Sequence, residues 1–297
     1  MDKNPLIRQA WLRVLLFLVF LFLLVIAASA LVGVLVVIMQ TQSGGKAGPA
    51  SLDELLSGNY LWLNSLISLV ASLLAVFVFR KFIDRKNLVS LGFQWNGYER
   101  DAGAGFFLAP VILGFGTLIL FFSSHLHWVD ISFDGKALFI ELGIMIMVAI
   151  AEEIVFRGYI LNNLMESFNK WLALAISALL FTLFHLGNPG IGFIPILNIF
   201  VAGVLLGINY VYTKNLWFAI LFHLSWNFVQ GPLLGYKVSG INLPTLLQTK
   251  LSGSELLTGG AFGFEGSVIA LGLILITCMV LYLTYEKLLA NKKVGTD

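Results

Sequence analysis

The chain has 297 residues, 59% of them hydrophobic and 11% charged, and a formal net charge of +2. With a strongly positive mean hydropathy, that composition excludes an ordinary soluble domain. So small a net charge, with no basic patch interleaved with aromatics, gives no sign of a nucleic-acid partner, and none is expected.

The chain opens with Lys3, Arg8 and Arg13 ahead of an apolar run from Val14 to Met39. This run passes Ala28-Ser29-Ala30, which resembles a signal-peptidase site, but it stays apolar through LVGVLVVIM where a cleaved signal would turn polar; a retained span is expected. Uncharged runs at Asn59 to Phe79, Ala102 to Ser124 and Ser267 to Tyr285 also reach the ~20 residues that an α-helix needs to cross a ~30 Å hydrocarbon core. In order, the expected spans are 14–39, 59–79, 102–124, 137–165, 170–186, 191–212, 215–230 and 267–286. The fold class is all-α, a polytopic membrane protein with about eight transmembrane helices. Cys278, the one cysteine, lies inside the last span, so no disulfide framework forms within the chain and the thiol packs.

Three parts are expected: helices and an inner loop at 1–135, a core rich in polar interruptions at 136–230, and an outer loop with a last helix at 231–297. With the N-terminus inside, Arg8, Arg13, Arg80, Lys81, Arg85, Lys86, Arg100, Lys170, Lys214, Lys287, Lys292 and Lys293 join Lys3 on the cytoplasmic side, and only Lys46, Lys136, Lys237 and Lys250 lie outside. The positive-inside rule then places both termini in the cytoplasm. Residues 40–58 and 231–266 are outer loops rich in Gly, Ser and Thr, and Arg80 to Asp101 is a charged inner loop. A transporter with inverted repeats would show matching interrupted helices in both halves, and this chain does not.

The ionisable residues inside spans are Glu141, Glu152, Glu153, Arg157, His185 and His223, with the amides Asn198, Asn209 and Asn227. A charge at mid-bilayer is costly unless paired or wetted, so each is a functional candidate. Glu153 with Arg157, Phe181 with His185, and His223 with Asn227 are i,i+4 pairs, and each presents both members on one helix face. If the fourth and fifth spans turn at Ser167 to Lys170, Glu152 and His185 stand at equal height, each about 24 Å from the turn. An intramembrane carboxylate would then meet an imidazole.

Plainer roles compete. Glu153 with Arg157 is also the pattern of a structural ion pair, a membrane histidine often bridges helices, and Asn227 could do the same. Glu141, near the outer end, reads as a snorkelling residue. His125 and His127, beside Trp128 in an outer loop, read as interfacial anchors. Phe181 is expected to pack against the site wall. There is no HExxH helix, no GxSG serine elbow and no GxGD motif.

EEIVFR at 152–157 fits EExxxR, FTLFH at 181–185 fits FxxxH, and HLSWN at 223–227 fits HxxxN, in this order on successive helices. The set resembles the CPBP family, which joins the type II CAAX prenyl endopeptidases to the bacterial Abi, or bacteriocin-processing, proteins. LGF at Leu91 to Phe93 is of the sort that often precedes the family domain. The resemblance implies an intramembrane endopeptidase acting on membrane-associated or lipidated peptides, its partners being a peptide or protein substrate and the bilayer, in a bacterial plasma membrane. It implies Glu152 as the base that activates water and Glu153 as its helper, paired with Arg157. His185 completes the polar site, and His223 and Asn227 stabilise the oxyanion. The family has also been described as metal-dependent; zinc would take Glu152, His185 and His223. The metal-free glutamate mechanism is the expectation, because no HxxxH pair preorganises an ion. The rival readings are a metal-dependent protease at the same site and a non-catalytic immunity or scaffold membrane protein.

Overall fold

A computed structural model of the chain describes residues 4–42 and 60–294. Lys3, Lys46 and the outer-loop residues 43–58 lie outside the described residues. The helices are α1 (Ala10–Gln42), α2 (Leu61–Val78), α3 (Glu99–Phe122), α4 (Gly135–Glu153), α5 (Asn162–Ser167), α6 (Lys170–Phe184), α7 (Phe193–Thr213), α8 (Trp217–Phe228), the single-turn α9 (Glu255–Thr258) and α10 (Val268–Val294). A π-helical segment, Ile154–Leu161, joins α4 to α5 without a break. Helical rods thus stand wherever the sequence predicts a span, and the polytopic all-α class holds.

Length and composition separate these rods. Among the described residues five helices are long and apolar enough to cross a membrane: Ala10–Leu31, Leu61–Ile83, Glu99–Phe122, Phe193–Thr213 and Val268–Asn291. The apolar helix Lys170–Phe184 is shorter, and α8 has 12 residues before it passes into a π-helical turn at Val229–Leu233. The short helices α6 and α8 carry motif residues, so the polar site is built where the apolar rods are weakest.

In lipid the packing of apolar surfaces has no water to escape, and close contact of small side chains takes over. Ala102, Gly105, Ala109 and Gly116 form a buried stripe along α3; Phe218 of α8 lies against Gly105. The expected turn is present at 167–170, where the Asn169 side chain accepts from the N–H groups of Trp171 and Leu172 and caps α6. Leu91, Gly92 and Phe93 dock the inner loop under the start of α8. The Gly92 carbonyl accepts from Leu216 N at 3.0 Å, φ is +112°, and a Cβ there would lie 2.6 Å from the Lys214 carbonyl oxygen. Only glycine fits both the angle and the approach.

Two features depart from the sequence reading. The first is a buried ionic hub at the inner end. Asp84, fully buried, accepts from Arg13 at 2.9 Å and Arg80 at 3.0 Å, and from Tyr159 and Asn163, both at 3.3 Å. Arg13 also pairs with Glu166, which Lys86 reaches at 2.5 Å. Arg13 and Arg80 therefore do more than mark the cytoplasmic side, because they fasten α1 and the inner loop to the motif helix. The second is a strand pair in the outer loops. β1 (Leu126–Ile131) runs antiparallel to β2 (Leu247–Leu251) with an irregularity between Trp128 and Asp130. His127 and Trp128 are part of β1, and Trp128 stacks on Phe121 at 5.1 Å.

Candidate active site

The site starts from the helix that carries the diglutamate. Glu152 and Glu153 end the α-helical part of that rod, and the next eight residues, IVFRGYIL, are π-helical and all buried. A π-helical stretch shifts the register of every later side chain and is frequent at functional sites. Glu153 and Arg157 nevertheless meet, Nη1 to Oε1 at 2.8 Å. Glu153 is fully buried, and the same Oε1 receives His223 Nδ1 at 2.8 Å. Arg157 donates its other nitrogen to the Gly203 carbonyl of α7 at 3.0 Å and stacks over the Phe181 ring at 4.5 Å. Glu153 thus faces away from open space and ties α4, α8 and, through Arg157, α6 and α7 into one knot.

Glu152 faces the other way. It lines a cavity of about 540 Å³, together with Phe181, His185, His223 and Asn227. Its Oε2 lies 3.7 Å from His185 Nε2 and 3.9 Å from His223 Nε2, and makes no direct hydrogen bond among the described residues. The predicted equal height of Glu152 and His185 is met, and His223 joins them.

Hydrogen-bond direction fixes the imidazole tautomers. His185 Nδ1 lies 2.7 Å from the Phe181 carbonyl oxygen, which can only accept, so Nδ1 carries the proton. His223 Nδ1 is bonded to a carboxylate oxygen and carries one for the same reason. In the neutral rings both Nε2 atoms therefore offer lone pairs towards one oxygen of Glu152. Gaps of 3.7 and 3.9 Å are too long for direct hydrogen bonds and suit a bridging group.

The donor types, a carboxylate and two imidazoles each oriented through Nδ1, are those that zinc accepts with an open position. Glu152, His185 and His223 would hold such an ion, which would supply Lewis-acid polarisation of a carbonyl.

Asn227, one turn beyond His223, is largely buried at the cavity wall, and its amide makes no side-chain hydrogen bond among the described residues. Phe181 packs as expected, edge-on to Phe156 at 5.1 Å and against His185 at 4.5 Å. Glu141 corrects the snorkelling expectation. It is 5% exposed, with Oε2 unpaired among the described residues, and it is not part of the cavity wall. Asn198 lines the cavity and donates to the Ser267 carbonyl at 2.9 Å. Asn209 is remote, bonded to Asp101 at 3.1 Å and to Tyr285 at the inner end.

Sequence reasoning missed Trp226, Ser239 and Glu265, which also line the cavity. Ser239 and Glu265 lie in what reads as a polar outer loop, and no spacing marks them. The apolar arm of the cavity reaches Leu21 and Phe22 of α1 and Ser68 and Ser72 of α2, so the N-terminal helices, which carry no motif, still shape the site.

Comparison with curated proteins gives no match. Residues 134–229 match the family model described as type II CAAX prenyl endopeptidase Rce1-like. That segment holds all three motifs and every polar residue that converges on Glu152. The match covers about a third of the chain, and over residues 134–229 the protein is similar to the type II CAAX prenyl endopeptidase Rce1-like proteins.

Proposed function

We propose that the protein is an intramembrane endopeptidase that uses Glu152 to activate water against a peptide bond of a membrane-associated or lipidated substrate. The observation that carries this reading is the convergence of two imidazole Nε2 atoms on one oxygen of Glu152 at 3.7 and 3.9 Å, inside a cavity. A water held in that gap can give one proton to Glu152 while His185 Nε2 accepts the other in a hydrogen bond. Glu152 takes the proton, the oxygen adds to the carbonyl carbon, and the carbonyl π electrons move onto its oxygen. The Asn227 amide donates to that oxyanion. His223, oriented by its Nδ1 bond to Glu153, faces the same space through Nε2. Glu152 then returns the proton to the departing amine, so the base of the first step is the acid of the second.

Each part has a physical scale. A positioned general base contributes about 10² to 10⁴ in rate, and one oxyanion donor about 10² to 10³. The mainly apolar lining of the cavity and its reach to α1 and α2 suit a substrate that brings hydrocarbon with it. The protein is integral to the membrane, and the positive-inside bias supports cytoplasmic termini.

The test uses the purified full chain and a quenched-fluorescence peptide ending in a farnesylated Cys-aliphatic-aliphatic-X sequence, with mass spectrometry of the products. Hydrolysis that survives exhaustive chelation is the expected result. Silencing by chelator with full reactivation by zinc would overturn the metal-free base, and hydrolysis of neither this peptide nor its unprenylated form would overturn the peptidase.

A further inference from the structure

Above the site the outer segments are packed through backbone. The turn at Val238–Ile241 is closed by paired backbone hydrogen bonds of 3.1 and 2.8 Å. Its Gly240, at φ +81°, lies so close to the loop after His185 that a Cβ would sit 1.9 Å from the Pro189 carbonyl oxygen. Gly240 N also donates to Phe262 O at 2.8 Å. The turn is thus wedged between the end of the His185 helix and the segment before α10.

One carboxylate fastens this cap to the third motif. Glu265 Oε1 accepts from the Ser239 backbone N–H and from the Ser239 hydroxyl at 2.9 Å. Its Oε2 accepts from Trp226 Nε1 at 3.3 Å. Trp226 stands between His223 and Asn227 on α8 and stacks on Phe222 at 5.7 Å. Asn227 has no side-chain hydrogen bond of its own among the described residues, so the setting of its amide depends on how α8 is held.

We propose that Glu265 is a positioning residue for the cleavage reaction: by joining Ser239 to Trp226 it clamps the outer turn onto α8 and holds the Asn227 amide at the cavity wall. This rests on the peptidase reading of the same site, and it assigns a role to a residue beyond the family match at 134–229. Both oxygens of Glu265 are spoken for by the cap and the helix, so the residue acts through Trp226 and not on the substrate. The clamp orders an oxyanion donor, which matters most in the transition state, so its loss falls on kcat and spares KM.

The experiment compares wild type with Glu265→Gln, Trp226→Phe, their double variant and Gly240→Ala, using the farnesylated peptide and hydrogen exchange of the full chain in micelles. Glu265→Gln is expected to lower kcat about tenfold or more with KM within about twofold, and the double variant to be no worse than the poorer single, since both cut one linkage. Exchange should rise together in residues 222–228 and 236–243 and stay unchanged in α2. Gly240→Ala should reproduce the same exchange pattern with every polar group kept. Unchanged kcat in Glu265→Gln, a KM effect alone, or fully additive losses would overturn the clamp. If wild type hydrolyses nothing, the peptidase reading fails while exchange still decides the clamp: unchanged exchange at 222–228 in Glu265→Gln refutes it.

Discussion

Removing both partners of the Glu153–Arg157 pair should damage stability less than removing either one. Glu153 is fully buried, and one of its oxygens serves both Arg157 and His223 at 2.8 Å. Its other oxygen has no partner among the described residues. Breaking a buried pair from one side strands a charge and costs about 3–5 kcal/mol. Arg157→Met should fall at the upper end, because it leaves the carboxylate with His223 alone. Glu153→Gln should fall at the lower end, because the guanidinium keeps the Gly203 carbonyl at 3.0 Å and the Phe181 ring at 4.5 Å. Additive losses would total about 6–10 kcal/mol, comparable with the whole stability of a typical domain of about 5–15 kcal/mol. The double variant Glu153→Gln/Arg157→Met strands no charge, so it should lose only about 2 kcal/mol or less. Turnover should not recover with stability, since His223 loses the carboxylate that orients its ring through Nδ1. Unfolding of the purified protein in micelles, followed by tryptophan fluorescence, measures the first quantity and peptide cleavage the second. A double variant as unstable as the sum of the singles, or one with wild-type turnover, would refute the reasoning.

Asn227→Ala should lower turnover by about 10² to 10³ with little change in unfolding, because its amide makes no side-chain hydrogen bond among the described residues; a large stability loss with unchanged turnover of the folded fraction would make it a helix bridge. Burial pushes the Glu166 carboxyl up, but the hydrogen bonds and charges of Lys86 and Arg13 outweigh this and hold it below the usual carboxylate range. A depressed pKa contributes stability above the unfolded value that is lost as pH falls through the folded one. The midpoint gap between wild type and Glu166→Gln should therefore shrink as pH drops from about 5 towards 3, near and below the usual glutamate value, and a gap that widens would contradict the sign. A cysteine placed at Lys250 of β2 should react with an impermeant reagent in intact cells, whereas protection there, with labelling at Lys287, would invert the topology.

The legible part of the site was the part carried by helix periodicity. Helix periodicity and one hairpin length sufficed to bring Glu152 and His185 together, because a helix and a short turn leave little freedom in between; that His223 of α8 joins them follows from helix packing, which no period records. Glu141 was misread because hydropathy gives depth along a helix but not which neighbour covers a side chain. Asp84 with Arg13 and Arg80 looked like loop charge for the same reason: the hub forms from segments 71 residues apart in sequence. The outer cap was the least legible. Its contacts run through glycine backbone and one carboxylate, and neither leaves a period in the sequence. The span count divides along the same line, since the apolar rods announce themselves while the short helices α6 and α8 are helical through packing around the polar knot.

The most direct measurement of the central claim is the turnover of Glu152→Gln beside wild type on the farnesylated peptide, with unfolding recorded for both. The amide keeps the volume of the carboxylate but cannot take a proton from water. A role for Glu152 as the base predicts an intact unfolding transition with cleavage reduced by about 10² to 10⁴ or abolished. Wild-type turnover from a folded Glu152→Gln protein would contradict it.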